Sequence, residues 1–273
     1  MNRDTVIVSI SDTHSGSSTA LYPGYPMTFK HGEKDAFTLS PTEDQKKLYN
    51  HWVFCADEVM KLSIGKRKII VFNGDAIEGV HHGSIQIMSP NIKHQNEIHI
   101  ELMEEFLKRC DFSVSNGDEL YYISGTESHT GWEEYGFKEH FEHLGARYMD
   151  DLRLMVNGVE FWYTHHGPNP GKGANEGNAL RNWLRDIYFD CMKSNTKPPD
   201  MVITGHFHKS HYNTYNDSYQ HTMHGIVLPS WQRKTRYAFR VAPFQRNDIG
   251  LSRLIVTADG DIRILKPLLM AEK

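Results

Sequence analysis

The chain has 273 residues, enough for one large domain with a substantial core or for two small ones. Its 39% hydrophobic and 23% charged residues, with no apolar run of membrane-spanning length and no signal-peptide pattern, lead us to expect a cytoplasmic globular protein without a membrane partner. A formal charge of −4 excludes a global attraction to nucleic acid, and the three scattered cysteines, Cys55, Cys110 and Cys191, read as packing residues in a reducing compartment.

Residues 5–10, TVIVSI, form an apolar, β-branched strand that runs into Ser11-Asp12-Thr13-His14. A carboxylate and an imidazole two apart at a strand end suit a metal; an Asp used as a turn former beside a bystander His is the other reading. Residues 17–39, rich in Ser, Gly, Pro and aromatics, read as a long loop. Ser40-Pro41-Thr42-Glu43 then predicts a helix with Ser40 as N-cap, burying Leu48, Trp52, Cys55, Val59 and Leu62. A second strand, KIIVF at 68–72, ends in Asn73-Gly74-Asp75. His81 and His82 follow and read as loop-surface residues, since neighbours point apart in extended chain. A helix over 91–110 carries the stripe Ile98, Leu102 and Phe106.

A third strand, 120–124, opens into Gly125-Thr126-Glu127-Ser128-His129, and a helix is expected over 132–144. Residues 152–164 form a hairpin turning at Asn157-Gly158, and its second strand delivers His165-His166-Gly167. PNPGKGANEG at 168–177 has the wrong spacing for a nucleotide P-loop, which leaves a substrate-facing glycine loop. A helix over 178–192 packs Leu180, Trp183, Leu184, Ile187 and Cys191. Then comes MVITGHFH at 201–208, a buried strand whose end places His206 and His208 on one side if the backbone stays extended. Irregular antiparallel strands fill 211–228.

Residues 229–246 hold Arg233, Lys234, Arg236, Arg240 and Arg246 with no acidic residue, interleaved with Trp231, Tyr237, Phe239 and Phe244. Cations that track phosphates and aromatics that stack bases suit single-stranded nucleic acid, with Arg233, Arg236 and Arg240 as the substrate-binding candidates. The competing reading is an arginine-rich segment packed over the domain edge. A last hairpin, 254–257 with 261–265, turns at Asp259-Gly260. Without repeats, low-complexity stretches or a linker, residues 1–273 read as one domain.

Five strands thus end in metal-capable residues, and several of the 17 histidines sit at these ends. In open α/β sheets ligands gather beyond the carboxyl ends of the strands. Mixed carboxylate and imidazole donors suit Mn²⁺, Fe or Zn²⁺ better than Mg²⁺ or Ca²⁺, and their number suits two ions about 3.5–4 Å apart.

In their order these motifs resemble the calcineurin-like metallophosphoesterase superfamily, whose pattern runs D-x-H, G-D, G-N-H, H and G-H-x-H. The resemblance spans Asp12 to His208. It implies an α+β, four-layer α/β/β/α fold, a two-sheet β-sandwich flanked by helices, and hydrolysis of a phosphomonoester or phosphodiester by metal-activated water. By the resemblance Asp12, His14 and His208 would hold one ion, Asp75 would bridge, and His165 and His206 would hold the second, with His165 preferred over His166. Mn is the expected metal, with Fe or Zn as alternatives. The third motif departs from the pattern: His129 would take the transition-state or leaving-group role of the family's His, while the Asn ligand is left to Thr126, Glu127, Ser128 or water. A Mn-dependent nuclease or exonuclease is the alternative, with nucleic acid as partner. A non-catalytic binding scaffold is a third reading.

Overall fold

The protein is described by a computed structural model covering residues 2–31, 35–81, 85–217, 221–241 and 247–271, except for the side chains of His31, Ser128, Thr130 and Val241. In chain order the elements are β1 (Thr5–Ile10), β2 (Met27–His31), β3 (Asp35–Leu39), α1 (Glu43–Leu62), β4 (Arg67–Asn73), α2 (Ile92–Arg109) and β5 (Glu119–Ile123). Next come α3 (Glu127–Thr130), α4 (Glu133–His140), β6 (Arg147–Met149), β7 (Leu152–Val156), β8 (Val159–Tyr163), α5 (Asn178–Lys193) and β9 (Met201–Thr204). The chain closes with β10 (His211–Asn216), β11 (Thr222–Val227), α6 (Arg236–Val241), β12 (Gly250–Val256), β13 (Ile262–Ile264) and β14 (Leu268–Leu269).

Two sheets stack as the inner layers. The first has the order β13-β12-β1-β4-β5-β6, with β14 also on β12; the second has the order β10-β11-β9-β8-β7. Strand β1 is buried along its whole length, as expected of a parallel strand covered on both faces. The two-residue period then divides its side chains. Val6, Val8 and Ile10 join Ile70 and Phe72 against Leu48 and Trp52 of α1, Phe106 of α2 and Phe137 of α4. Ile7 points the other way with Ile69, Val71 and Ile123, meeting Phe161, Tyr163, Met201 and Ile203 of the second sheet. The outer face of that sheet, at Val202 and Met223, is covered by Leu184 and Tyr188 of α5. Helix, sheet, sheet, helix: the four-layer architecture is the one the motif order implied. Within it β1, β4 and β5 run parallel in one sheet, and β8 and β9 run parallel in the other. Among the described residues no helix is long and apolar enough to cross a membrane.

Several local expectations change. The first helix starts two residues later, capped by Thr42. Gln45 N donates to Thr42 Oγ1 at 3.2 Å and Thr42 N donates to Gln45 Oε1 at 3.0 Å, a reciprocal pair that Ser40 does not form. The stretch 17–39 contains the β2–β3 hairpin; β3 is mostly exposed, so it has no alternation to read, and Phe29 of β2 is the buried anchor. The helix expected over 132–144 is broken. Trp132 is exposed at the start of α4, and the one-turn α3 before it carries His129. On α5 the buried row is Leu180, Leu184 and Tyr188, with Trp183 and Ile187 only partly covered. The Asn157-Gly158 turn has positive φ at both residues (49° and 88°), as a type I′ turn requires. His82, Phe244 and Arg246 lie outside the described residues.

Candidate metal centre

The parallel strands end on one side of the sandwich, and their tails are sewn together by main-chain bonds. Asp12 N donates to Gly74 O (3.0 Å), His14 N to Asp75 O (3.1 Å) and Gly205 N to His165 O (2.9 Å). Extended backbone is not what aims the side chains. Asp12, His14, Asp75, His206 and His208 all have left-handed φ, between 43° and 71°. Asp and His tolerate this region better than most residues, but each such residue costs about 1–3 kcal/mol, a strain that concentrates at functional sites. The left-handed turns also send His206 and His208 toward different partners. At Gly74 (φ 82°) a Cβ would run into the His165 ring and the Gly125 Cα, so the backbone here must lack one.

The first donor set is Asp12, His14 and His208, whose ligand atoms converge. His14 Nε2 and His208 Nε2 face each other at 3.1 Å, and Asp12 Oδ1 is 3.2 Å from His208 Nε2 and 3.7 Å from His14 Nε2. Asp12 Oδ2 is occupied by the Ser11 hydroxyl (2.5 Å) and the His206 amide (3.1 Å), which leaves Oδ1 buried without a hydrogen-bond partner. Donors that share one ion at about 2.1 Å lie roughly 3 Å apart, so these residues fit a cation. Around them stand residues that fix the rings: Glu78 Oε2 lies 3.3 Å from His14 Nδ1 and accepts from Gln232 Nε2 (2.7 Å), and the Asn247 amide lies 3.0 Å from His208 Nδ1.

The second set gathers His165 with His206 and His166. His165 donates from Nδ1 to Asn73 O (2.6 Å), which turns Nε2 to the site as a buried, unpartnered atom 3.1 Å from Asp75 Oδ2. Asp75 Oδ2 is also 3.9 Å from His14 Nε2, so one carboxylate oxygen stands between the two sets. Thr126 occupies the ground left by the altered third motif. Its amide donates to Asp75 Oδ1 (2.6 Å), and its hydroxyl lies 3.1 Å from Asp75 Oδ2 and 3.3 Å from His206 Nδ1. Ser128, the other hydroxyl candidate, lies among the side chains not described.

The charge state agrees with a cation-seeking site. Burial would raise Asp12 and Asp75, yet His208 for Asp12 and His165 for Asp75 hold both below the usual carboxylate range. Burial likewise opposes charge on His14 and His165, but Asp12 and Glu78 raise His14 to about 10, and Asp75 raises His165 to about 9. Protons on these rings balance the carboxylates where an ion would.

His129 reaches the same space, its ring centroid 4.8 Å from that of His14. Its Nδ1 must donate to Glu78 O at 2.9 Å, so in the neutral ring Nε2 is bare. Burial, with His14 second, lowers it to about 4. A general acid needs the proton that this setting disfavours, and an anionic substrate is what would restore it. Glu78 and His81 were not singled out from sequence as site residues, yet both belong to it. His81 stacks edge-on to His129 at 4.0 Å and is no loop-surface residue. The signal available was that Glu78 follows Asp75 by three residues at a strand's end.

A cavity of about 800 Å³ opens over the centre, lined by His14, Asp75, His129, His206 and His208 on its floor. The segment around α6 forms a wall, with Lys234, Arg236, Tyr237 and Arg240. Arg233 is not part of it: its guanidinium lies 3.9 Å from Asp44 on α1. Nor is Trp231 a stacking platform. It is fully buried, T-shaped on Trp52 at 4.8 Å, because the chain passes under the wall before it emerges. Among the described residues of the segment, Tyr237 and Phe239 are the exposed aromatics.

No protein-family profile and no curated protein matches the chain. Among solved structures it is similar to an archaeal phosphodiesterase at 12% identity, covering 97% of this chain and 99% of that one with a TM-score of 0.44. It is similar to an NAD nucleotidase from Haemophilus influenzae at 10% identity, covering 97% of this chain and 49% of that one (TM-score 0.43). A 5′-nucleotidase from Candida albicans is 11% identical over 95% of this chain and 48% of that one (TM-score 0.38). The chain therefore spans about half the length of the two nucleotidases. At these TM-scores the likenesses add nothing to what the site's own residues say.

Proposed function

We propose that this protein is a metal-dependent phosphoester hydrolase of the calcineurin-like metallophosphoesterase type, working with two divalent ions. The observation that carries the reading is Asp75 Oδ2, 3.1 Å from His165 Nε2 and 3.9 Å from His14 Nε2, a single carboxylate oxygen joining two donor sets. Asp12, His14 and His208 would hold one ion and His165 and His206 the other, with Asp75 shared. When bound, the ions supply Lewis acidity and a water of lowered pKa. We favour Mn, with Fe or Zn as alternatives.

The protein's own groups do the rest. Arg236, Arg240 and Lys234 on the cavity wall draw in a phosphoanion and orient it over the donors. His129, fixed by Glu78 O, presents Nε2 to the reacting oxygens as the proton-handling group. Ser11 and the His206 amide hold Asp12 in place. All of 1–273 acts as one domain in this reading, since β1 and β4 of one sheet and β8 and β9 of the other all carry donors. The three free cysteines, Cys55, Cys110 and Cys191, support a reducing, cytoplasmic setting.

Nuclease activity is the second reading, favoured by Tyr237 and the arginines sharing one cavity with the donors. A scaffold role rests on the altered third motif alone, and it leaves the convergence of the Asp12, His14, Asp75, His165, His206 and His208 ligand atoms without a purpose. The test is a Mn²⁺-dependent assay on an aryl monoester, an aryl diester, and single- and double-stranded DNA, run beside metal analysis. Hydrolysis with about two ions per chain is expected. Absence of turnover on all four substrates, with less than one ion per reconstituted chain, refutes the enzyme.

A further inference from the structure

The resemblance leaves one donor of the second ion without a counterpart, the Asn of the third motif. Thr126 stands nearest, but its hydroxyl already meets Asp75 Oδ2 (3.1 Å) and His206 Nδ1 (3.3 Å). A neutral hydroxyl so engaged is a weak donor beside an imidazole.

His166 brings that imidazole. Its ring centroid is 4.6 Å from that of His206 and 5.0 Å from that of His165, edge-on to both at 66° and 75°. One nitrogen from each of the three rings lies within 4.8 Å of the other two. No hydrogen bond ties a His166 nitrogen to any described residue, whereas His165 Nδ1 is held by Asn73 O. Gly167 allows the close approach that makes this possible: a Cβ there would strike the Thr204 side chain, with Cγ2 at 2.6 Å, so the two histidines lie tight along the end of β9.

We propose that His166 is a ligand of the second ion and supplies the donor that the altered third motif has lost. The inference rests on the two-ion reading above. It makes the two sites chemically unequal. Asp12, His14, His208 and Asp75 offer two nitrogens and two carboxylates, while His165, His166, His206 and Asp75 offer three nitrogens and one carboxylate. A nitrogen-rich site suits Zn²⁺ and Co²⁺ more than Mn²⁺, so limiting Co²⁺ fills the second site first.

The experiment is a Co²⁺ titration of metal-free protein, followed by calorimetry and visible absorption, for the wild type and for H166A, H166D, T126A and H208A. The wild type takes two equivalents. H166A keeps one and binds the other at least about 100-fold more weakly, since even outer-shell partners are worth about 10- to 100-fold. H166D, which restores a donor, recovers the second equivalent, T126A keeps both, and H208A weakens the opposite site. His166 is exposed, so H166A and H166D leave the core intact. Two unaltered equivalents in H166A overturn the assignment while leaving the two-ion reading standing, and loss of an equivalent in T126A moves the role to Thr126. A wild type that takes fewer than two ions overturns both.

Discussion

Asp75→Asn isolates a charge at the point where the two donor sets meet. The Asn oxygen can still accept the Thr126 amide that now donates to Oδ1 at 2.6 Å, so the loop after β5 stays anchored. What is lost is the negative charge 3.1 Å from His165 Nε2 and 3.9 Å from His14 Nε2. A unit charge pair about 4 Å apart is worth ~4 kcal/mol at an effective dielectric of about 20. At about 1.4 kcal/mol per tenfold, that is roughly a thousandfold in affinity. Because the carboxylate is shared, both ions should weaken, not one. The assay is calorimetric titration with Mn²⁺ beside hydrolysis of an aryl diester. We expect both dissociation constants to rise by at least ~100-fold and turnover to fall to background at micromolar metal. If D75N holds two ions within tenfold of the wild-type affinities, the shared-carboxylate geometry does not organise the centre and the reasoning is wrong.

Other outcomes follow from neighbouring residues. His129→Ala should lower turnover by about 10²–10⁴-fold, the usual span for a lost acid–base group, with metal content unchanged; loss of an ion would make His129 a ligand. Arg236→Ala with Arg240→Ala should weaken single-stranded DNA binding and flatten its salt slope by about 1.4, at roughly 0.7 per contact, whereas Arg233→Ala, facing Asp44, should do neither. An equal effect of Arg233→Ala would remove the wall from the argument. Metal binding at pH 7 should release about two protons, because His14 and His165 are held protonated up to about 10 and about 9. Affinity then rises with pH, and titrations in buffers of different ionisation enthalpy count the protons. In the metal-free protein these raised values stabilise the fold fully below the unfolded histidine value of about 6.5, and that stability is lost as pH rises through about 9 and 10. The metal-free melting temperature should therefore fall between pH 7 and pH 10, and a flat profile counts against the two imidazolium ions.

The apolar β-branched runs within Thr5–Ile10, Arg67–Asn73 and Met201–Thr204 are legible because strands covered on both faces are filled mainly by apolar side chains. With them comes the list of donors, since each motif directly follows its strand. The chain by itself thus marked the strands and nominated Asp12, His14, Asp75, His165, His206 and His208 as candidate donors, and its motif order implied the layers through the family resemblance. Local pattern alone did not say how they pair; only the family resemblance did. His14 and His208 are 194 residues apart, and their meeting depends on the stacking of two sheets and on left-handed turns that no period announces. The same holds for the supporting row. Glu78, His81, Gln232 and Asn247 become part of the centre only once the tails of β4 and the segment before β12 lie against β1. Composition likewise treated 229–246 as one basic, aromatic stretch, while the fold divides it: Trp231 into the core, Arg233 onto α1, and Arg236, Tyr237 and Arg240 onto the cavity wall. Local sequence sets what each strand end carries; only packing between distant segments decides which of those groups share a site, because burial and ligand geometry are properties of the assembled layers.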